Sequence, residues 1–256
     1  MSNPIIELMH KHGSVRRYKT DPVARELIET IVAAGQRAST SSNLQLYSVV
    51  AIQDDEKRAH MQTLCGNQKH ISQAPVFLTW CADLSRMDRI SDRQGYAQEA
   101  GYVENFLLAA VDVAIMMQNA GLAAESLGLG FCYIGAIRNQ PQEVIELLNL
   151  PRLTFPVAGM TLGWPVEPPL IRPRLPLDAV LHWETYAADD EEAHLQAYDE
   201  AMIATGIYDG RQVATAGTTS VEEKAYGWME HSARRSAQVV RPHLREVLRN
   251  QGFELK

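Results

Sequence analysis

The stretch from Phe106 to Ala124 limits what this chain can become more than any other. It is apolar except where Asp112, Gln118 and Asn119 interrupt it. A carboxylate and two amides are costly in hydrocarbon but acceptable in a protein interior that supplies partners. The run therefore reads as a buried helix and not as a membrane span. Its helical pattern extends from about Glu99 through Leu127 and stops at Gly128. Ala109, Ala110, Ala114, Ala120, Ala123 and Ala124 crowd it with small side chains, so another backbone can approach closely. Such a helix has to be covered, and the rest of the chain must supply the layers.

Four short runs rich in Val, Ile, Thr and aromatics supply a sheet: Tyr47 to Ile52, Val76 to Asp83, Phe131 to Gly135 and Pro156 to Trp164. Most lack clean alternation, as expected of strands buried on both faces. A helix is expected after Asp21-Pro22, with Leu27, Ile28, Ile31 and Val32 on one face. Another is expected over Pro141 to Leu150, ending at Pro151. The sum is an α+β, three-layer arrangement with the long apolar helix at its centre. Pro165, Pro168, Pro169, Pro173 and Pro176 make the next segment extended. Thr205 to Thr219, rich in Gly and Thr, reads as a mobile loop. Val221 to Gln251 reads as a last helix kinked at Pro242. No repeat and no clear boundary appears, so residues 1–256 read as one domain.

The net charge of −7 argues against a general binder of nucleic acid or anionic membranes. Cys65, Cys81 and Cys132 are odd in number and widely spaced, which fits a reduced compartment. The N-terminus lacks a secretory pattern, so a cytoplasmic location is expected. Gly128-x-Gly130 fails the dinucleotide fingerprint, because Tyr133 stands where glycine is required and a helix precedes it. No Walker sequence, nucleophile elbow or metal-ligand spacing is found, and no metal is expected.

Three polar clusters remain. His12-Gly13-Ser14-Val15-Arg16-Arg17 combines a glycine, a hydroxyl and two guanidinium groups, a set suited to a phosphate. Ser39 to Gln45 offers hydroxyls and amides between a helix and a strand, to form turns or to bind a heterocycle or phosphate. Arg172-Pro173-Arg174 holds two cations on extended backbone. Each alone also reads as solvated surface.

Taken in order, these segments resemble the oxygen-insensitive NADPH nitroreductase and flavin reductase group of nitroreductase-like flavoproteins. The resemblance rests on His12-x-Ser14-Val15-Arg16, Thr40 to Gln45, Gly66-Asn67-Gln68, Ala123 to Gly130, Tyr133 to Asn139, Leu162 to Pro165 and Arg172 to Pro176. It covers roughly residues 3 to 186. It implies a central mixed sheet flanked by helices, a domain-exchanged homodimer, and FMN bound non-covalently at the dimer interface with NADPH as reductant. By position, His12, Ser14 and Arg16, with Arg172 and Arg174, would hold the flavin phosphate. Thr40, Ser41 and Gln68 would hydrogen-bond the ribityl chain or ring, and Tyr133, Ile134 and Gly135 would line the ring. Arg211 is the candidate for the NADPH 2′-phosphate, ahead of Arg234 and Arg235. No side chain is required as nucleophile or base, because the cofactor carries the chemistry. Nitroaromatics, free flavins and quinones are the implied acceptors. Another FMN-dependent reduction, such as dehalogenation, or a non-enzymatic flavin-binding protein are the alternatives. Gly13 stands where many members carry arginine, and Ala136 replaces a usual glycine.

Overall fold

The computed structural model describes residues 3–188, 190–214 and 226–256. The chain forms two compact units, Met1–Pro169 with Arg241–Lys256, and Leu170–Val240. The division falls inside the proline-rich segment.

In the first unit the helices are α1 (Pro4–His10), α2 (Arg25–Gly35), α3 (Asp55–Leu64), α4 (His70–Gln73), α5 (Ser85–Arg93), α6 (Val103–Ser126), α7 (Pro141–Leu147) and α10 (Leu244–Asn250). The strands are β1 (Tyr47–Ile52), β2 (Val76–Asp83), β3 (Gly130–Ile134) and β4 (Thr154–Gly163). They pair in the order β1-β2-β4-β3, and every pairing among the described residues is antiparallel. The expected mixed sheet is thus corrected for this chain. The mixed sheet was implied by the resemblance alone; the burial of the strands on both faces comes from helices packed on each side. On β2, Val76, Leu78 and Trp80 enter one cluster with Ile31 of α2 and Val113, Met116 and Ala120 of α6. Phe77 points the other way, into a cluster with Met61, Leu64, Ile71 and Val144 from α3, α4 and α7. Alternation is masked because both directions lead to apolar ground.

Asp83, at the end of the interior strand β2, shows how one end of the sheet is tied. Its carboxylate accepts from the backbone N–H of Ser85 and the hydroxyls of Ser48, Ser85 and Thr154. Burial pushes its pKa up, but these hydrogen bonds and the Arg86 guanidinium outweigh burial and hold it below the ordinary carboxylate value. A carboxyl depressed by folding stabilises the protein above its unfolded pKa, and that contribution is lost as pH falls through the folded value. Denaturant titrations of Asp83→Asn should therefore show lower stability than wild type at pH 7 and a gap that closes below about pH 4.

Several expectations are corrected. The helix anticipated after Asp21-Pro22 starts at Arg25, with Ala24 as its cap. Val23 is instead buried, and the Pro22 carbonyl accepts the Trp164 indole N–H at 3.2 Å. The helix beginning at Pro141 ends at Leu147, and Asn149 turns left-handed at φ +50°. The long helix is buried on one face only. Ala109, Asp112, Val113, Met116, Ala120 and Ala124 face the core, while Leu107, Val111 and Ile115 are 53%, 46% and 42% exposed in the single chain. By length and composition α6 could cross a membrane, but its core face packs on the sheet. The single C-terminal helix expected over Val221 to Gln251 is two, because Arg241 is left-handed at φ +54° and Pro242 lacks an N–H. Residues 221–225, and 215–219 of the expected loop, lie outside the described residues. All three cysteines are buried, and burial pushes the Cys65 thiol up to about 12, as expected of small hydrophobes.

The second unit contains α8 (Glu191–Ile203) and α9 (Trp228–Ser236). The buried Asp199 of α8 accepts the Met229 N–H at 2.7 Å at the start of α9, satisfying a donor the helix itself leaves open.

Candidate functional site

The segment after α1 runs along β3. The Val15 N–H donates to the Phe131 carbonyl at 2.9 Å, and Tyr18 pairs with Pro165. Val15 and Tyr18 are buried, whereas Ser14 and Arg16 are exposed. The approach is close: a Cβ on Gly130 would stand 2.4 Å from Val15 Cγ2. Gly130 is thus required by packing against this segment, and Gly128, at φ +83°, ends the helix before it. Both uses agree with the failure of the dinucleotide fingerprint.

His12 lies over Phe131 at 5.2 Å between ring centroids, and its Nδ1 is 2.7 Å from Glu125 Oε1 on α6. Arg16 acts electrostatically on His70 at the start of α4; burial first, then that guanidinium, lowers the His70 pKa. Two residues earlier, the half-buried Gln68 donates its amide to the Cys65 carbonyl at 2.9 Å, which leaves its oxygen for a ligand. A Cβ on Gly66 would be 3.4 Å from the Asn139 side chain, so the Gly66–Gln68 turn adjoins the turn after β3. The Tyr133 hydroxyl donates to the Met117 carbonyl at 3.1 Å; burial, and then the charge of Glu125, push its pKa up and keep it protonated. Ile134 is core, packed near Cys65 and Ile71. Gly135 opens a 3₁₀ turn, Gly135–Arg138. Ala136 has no positive φ, so the alanine fits there without backbone strain. His12, Ser14, Arg16, Gln68 and Tyr133–Gly135 are therefore gathered at the outer edge of the sheet, from three distant parts of the sequence.

Thr40 and Ser41 lie elsewhere. They precede β1, the opposite edge strand. The Ser41 N–H donates to Asp112 Oδ1 at 3.0 Å, and the Leu46 N–H to Oδ2 at 3.2 Å. Asp112 and Met117 are five residues apart, about 7.5 Å along α6 and about 140° around it. The loop and Tyr133 thus occupy different flanks of that helix. Ser42, Asn43 and Gln45 all have positive φ, at 49°, 56° and 52°, a concentration of strain of the kind found where geometry serves a site.

In the second unit Arg172, Arg174 and Arg211 are exposed, and Arg174 donates to the carbonyls of Arg172 and Pro173. The Arg211 N–H donates to the Tyr208 carbonyl at 3.0 Å. Arg234 is buried, bonded to Glu230 and the Val213 carbonyl and stacked over Tyr226, so it holds the unit together. Arg235, exposed, donates to Gln238.

Sequence reasoning gave no role to Asp112 or Glu125. The signal for Asp112 was present: a lone carboxylate in an apolar helix needs buried donors.

The comparisons agree with this architecture. Residues 10–164 match the description "Nitroreductase family" and residues 172–256 match "Nitroreductase family, C-terminal domain". The chain is 39% identical over 257 residues, 99% of each chain, to an FMN reductase [NAD(P)H] of Bacillus subtilis. It is 39% identical over 251 residues, 98% of each, to an oxygen-insensitive NADPH nitroreductase of Salmonella typhimurium. Among solved structures, an NADPH:FMN oxidoreductase from Vibrio harveyi complexed with NAD+ superposes at a TM-score of 0.86 with 35% identity, covering 99% of this chain and 100% of that one. A hypothetical oxidoreductase from Bacillus subtilis reaches 0.91 at 38% identity, with full coverage of both. By sequence and by fold, this chain belongs to the nitroreductase family.

Proposed function

We propose that this protein is an FMN-dependent oxidoreductase that uses NADPH, or NADH, to reduce nitroaromatics, free flavins or quinones. The observation that carries the reading is the cluster at the β3 edge. An exposed guanidinium, a hydroxyl and an imidazole stand together on one strand-like segment, beside a glutamine and a glycine turn. This donor set fits a phosphate joined to a polar chain and a flat heterocycle. Arg16 and Ser14 would bind the phosphate with His12. Gln68 would accept from or donate to the ribityl chain or ring, and the backbone of Ile134 and Gly135 would border the ring. When bound, FMN would supply two-electron transfer from nicotinamide to acceptor, and the protein would bind, orient and exclude water. Arg211 is the proposed cation for the 2′-phosphate of NADPH.

We also propose a cytoplasmic homodimer. Leu107, Val111 and Ile115 recur every four residues and form one uncovered apolar stripe on α6. Thr40 and Ser41 lie across the sheet from the phosphate cluster of their own chain. A second copy packed on the stripe would supply them, so that each flavin is held by both chains.

The visible spectrum of the purified protein, before and after anaerobic NADPH, tests the function. A flavin band that bleaches supports it. A band that persists with both nicotinamides supports a binding role instead, and a colourless protein that takes up no FMN refutes the reading. In a fluorescence titration Arg16→Ala should weaken FMN binding about 10- to 100-fold, the weight of a charge-assisted hydrogen bond. An unchanged affinity would remove Arg16 from the phosphate site. Arg211→Ala should raise KM for NADPH at least about tenfold and leave that for NADH nearly unchanged, since only NADPH carries the extra phosphate.

A further inference from the structure

We propose that Glu125 is a positioning residue that sets the orientation and hydrogen content of the His12 ring, so that binding of the flavin phosphate takes up one proton. The inference rests on the FMN reading above.

Glu125 Oε1 lies 2.7 Å from His12 Nδ1, with side chains 12% and 27% exposed. Its second oxygen, Oε2, is buried and has no partner. An ionised carboxylate only accepts, so Nδ1 carries a hydrogen. The ring also packs on Phe131, tilted by 31°. Contact on one face and a bond at one nitrogen fix the imidazole and leave Nε2 as the nitrogen open to a ligand.

A phosphate oxygen only accepts as well. To donate to it, Nε2 must also carry a hydrogen, and a ring protonated at both nitrogens is an imidazolium between two anions. A ring that is neutral before the flavin arrives gains one proton from solvent as the phosphate binds. The surrounding groups narrow the source of that uptake. Tyr133 on β3 is kept protonated by burial and by the charge of Glu125. Arg16, on the same segment as His12, is always charged. His70, its pKa lowered by burial and by Arg16, is the other imidazole nearby.

Isothermal titration of FMN into the flavin-free full-length protein at pH 8, in buffers of differing ionisation enthalpy, measures the uptake. Wild type should take up about one proton per flavin, and His70→Gln should do the same. In Glu125→Gln the carboxamide can donate to Nδ1 and leave the hydrogen on Nε2. The ring then serves the phosphate while neutral. Uptake should fall toward zero, and affinity should weaken about tenfold, as for other partners that orient a liganding histidine. If His12→Ala weakens FMN binding but Glu125→Gln changes neither affinity nor uptake, the role of Glu125 is overturned. If His12→Ala has no effect on affinity, the phosphate reading itself fails. Uptake that disappears in His70→Gln would assign the proton there and refute the proposal. Should Glu125→Gln not fold, nitrogen NMR of histidine-labelled holoprotein decides: a neutral His12 ring at pH 8 overturns the inference.

Discussion

Replacing Asp112 by alanine should lower thermal stability and release the flavin together. The carboxylate lies in the core face of α6, 1% exposed, and accepts two backbone N–H groups, those of Ser41 and Leu46. Removing the acceptor takes this partner from both N–H groups, and an unmet buried donor costs about 1–3 kcal/mol. The expected loss is about 2–4 kcal/mol, or about 4–16 °C in Tm for a chain of this size. Asparagine should be little better than alanine, because its NH2 would face one of the two N–H groups it replaces an acceptor for. Differential scanning calorimetry with FMN titration of both variants checks this. If asparagine restored wild-type stability, the acceptor-only argument would be wrong. Loss of the flavin with the Tm follows from the proposed dimer, since the loop carrying Thr40 and Ser41 is the part that Asp112 holds.

A larger effect on assembly is expected from Val111→Glu with Ile115→Glu. Both side chains are exposed in the single chain, so carboxylates there leave the fold of one chain intact. In a two-fold interface each substitution appears twice, and burying unpaired carboxylates costs several kcal/mol apiece. The variant should run as a monomer in size-exclusion chromatography with light scattering, keep its helical circular dichroism, and bind FMN at least about 100-fold more weakly. A dimeric variant with bound flavin would show that α6 is not the interface.

The sequence disclosed the scaffold better than the joints. β1 and β2 have the bounds read from their Val, Ile and Thr content, and the ends of β3 and β4 differ only slightly. Their side chains enter apolar layers on both sides, so composition alone marks them. The start of α2 was misread because Asp21-Pro22 has the chemistry of a cap, yet Pro22 and Val23 are spent on packing and on Trp164. The polar residues of the β3 edge were legible as short runs of donors. Their carboxylate partners were not. Glu125 meets a histidine 113 positions away and Asp112 meets an N–H 71 positions away, and neither separation leaves a local pattern. The exposed flank of α6 was hidden for a similar reason: an apolar helix face left uncovered in the single chain has the same composition as one facing its own core.

The left-handed residues of the loop before β1 set a boundary for any effort to retune acceptor choice by mutagenesis. At positions 42, 43 and 45, side chains branched at Cβ would clash with their own backbone at φ near +50°. Glycine, asparagine and aspartate are the residues that hold this path at little cost. Libraries that randomise the loop freely would spend most of their members on strained geometry, whereas restricting those three positions would keep the path.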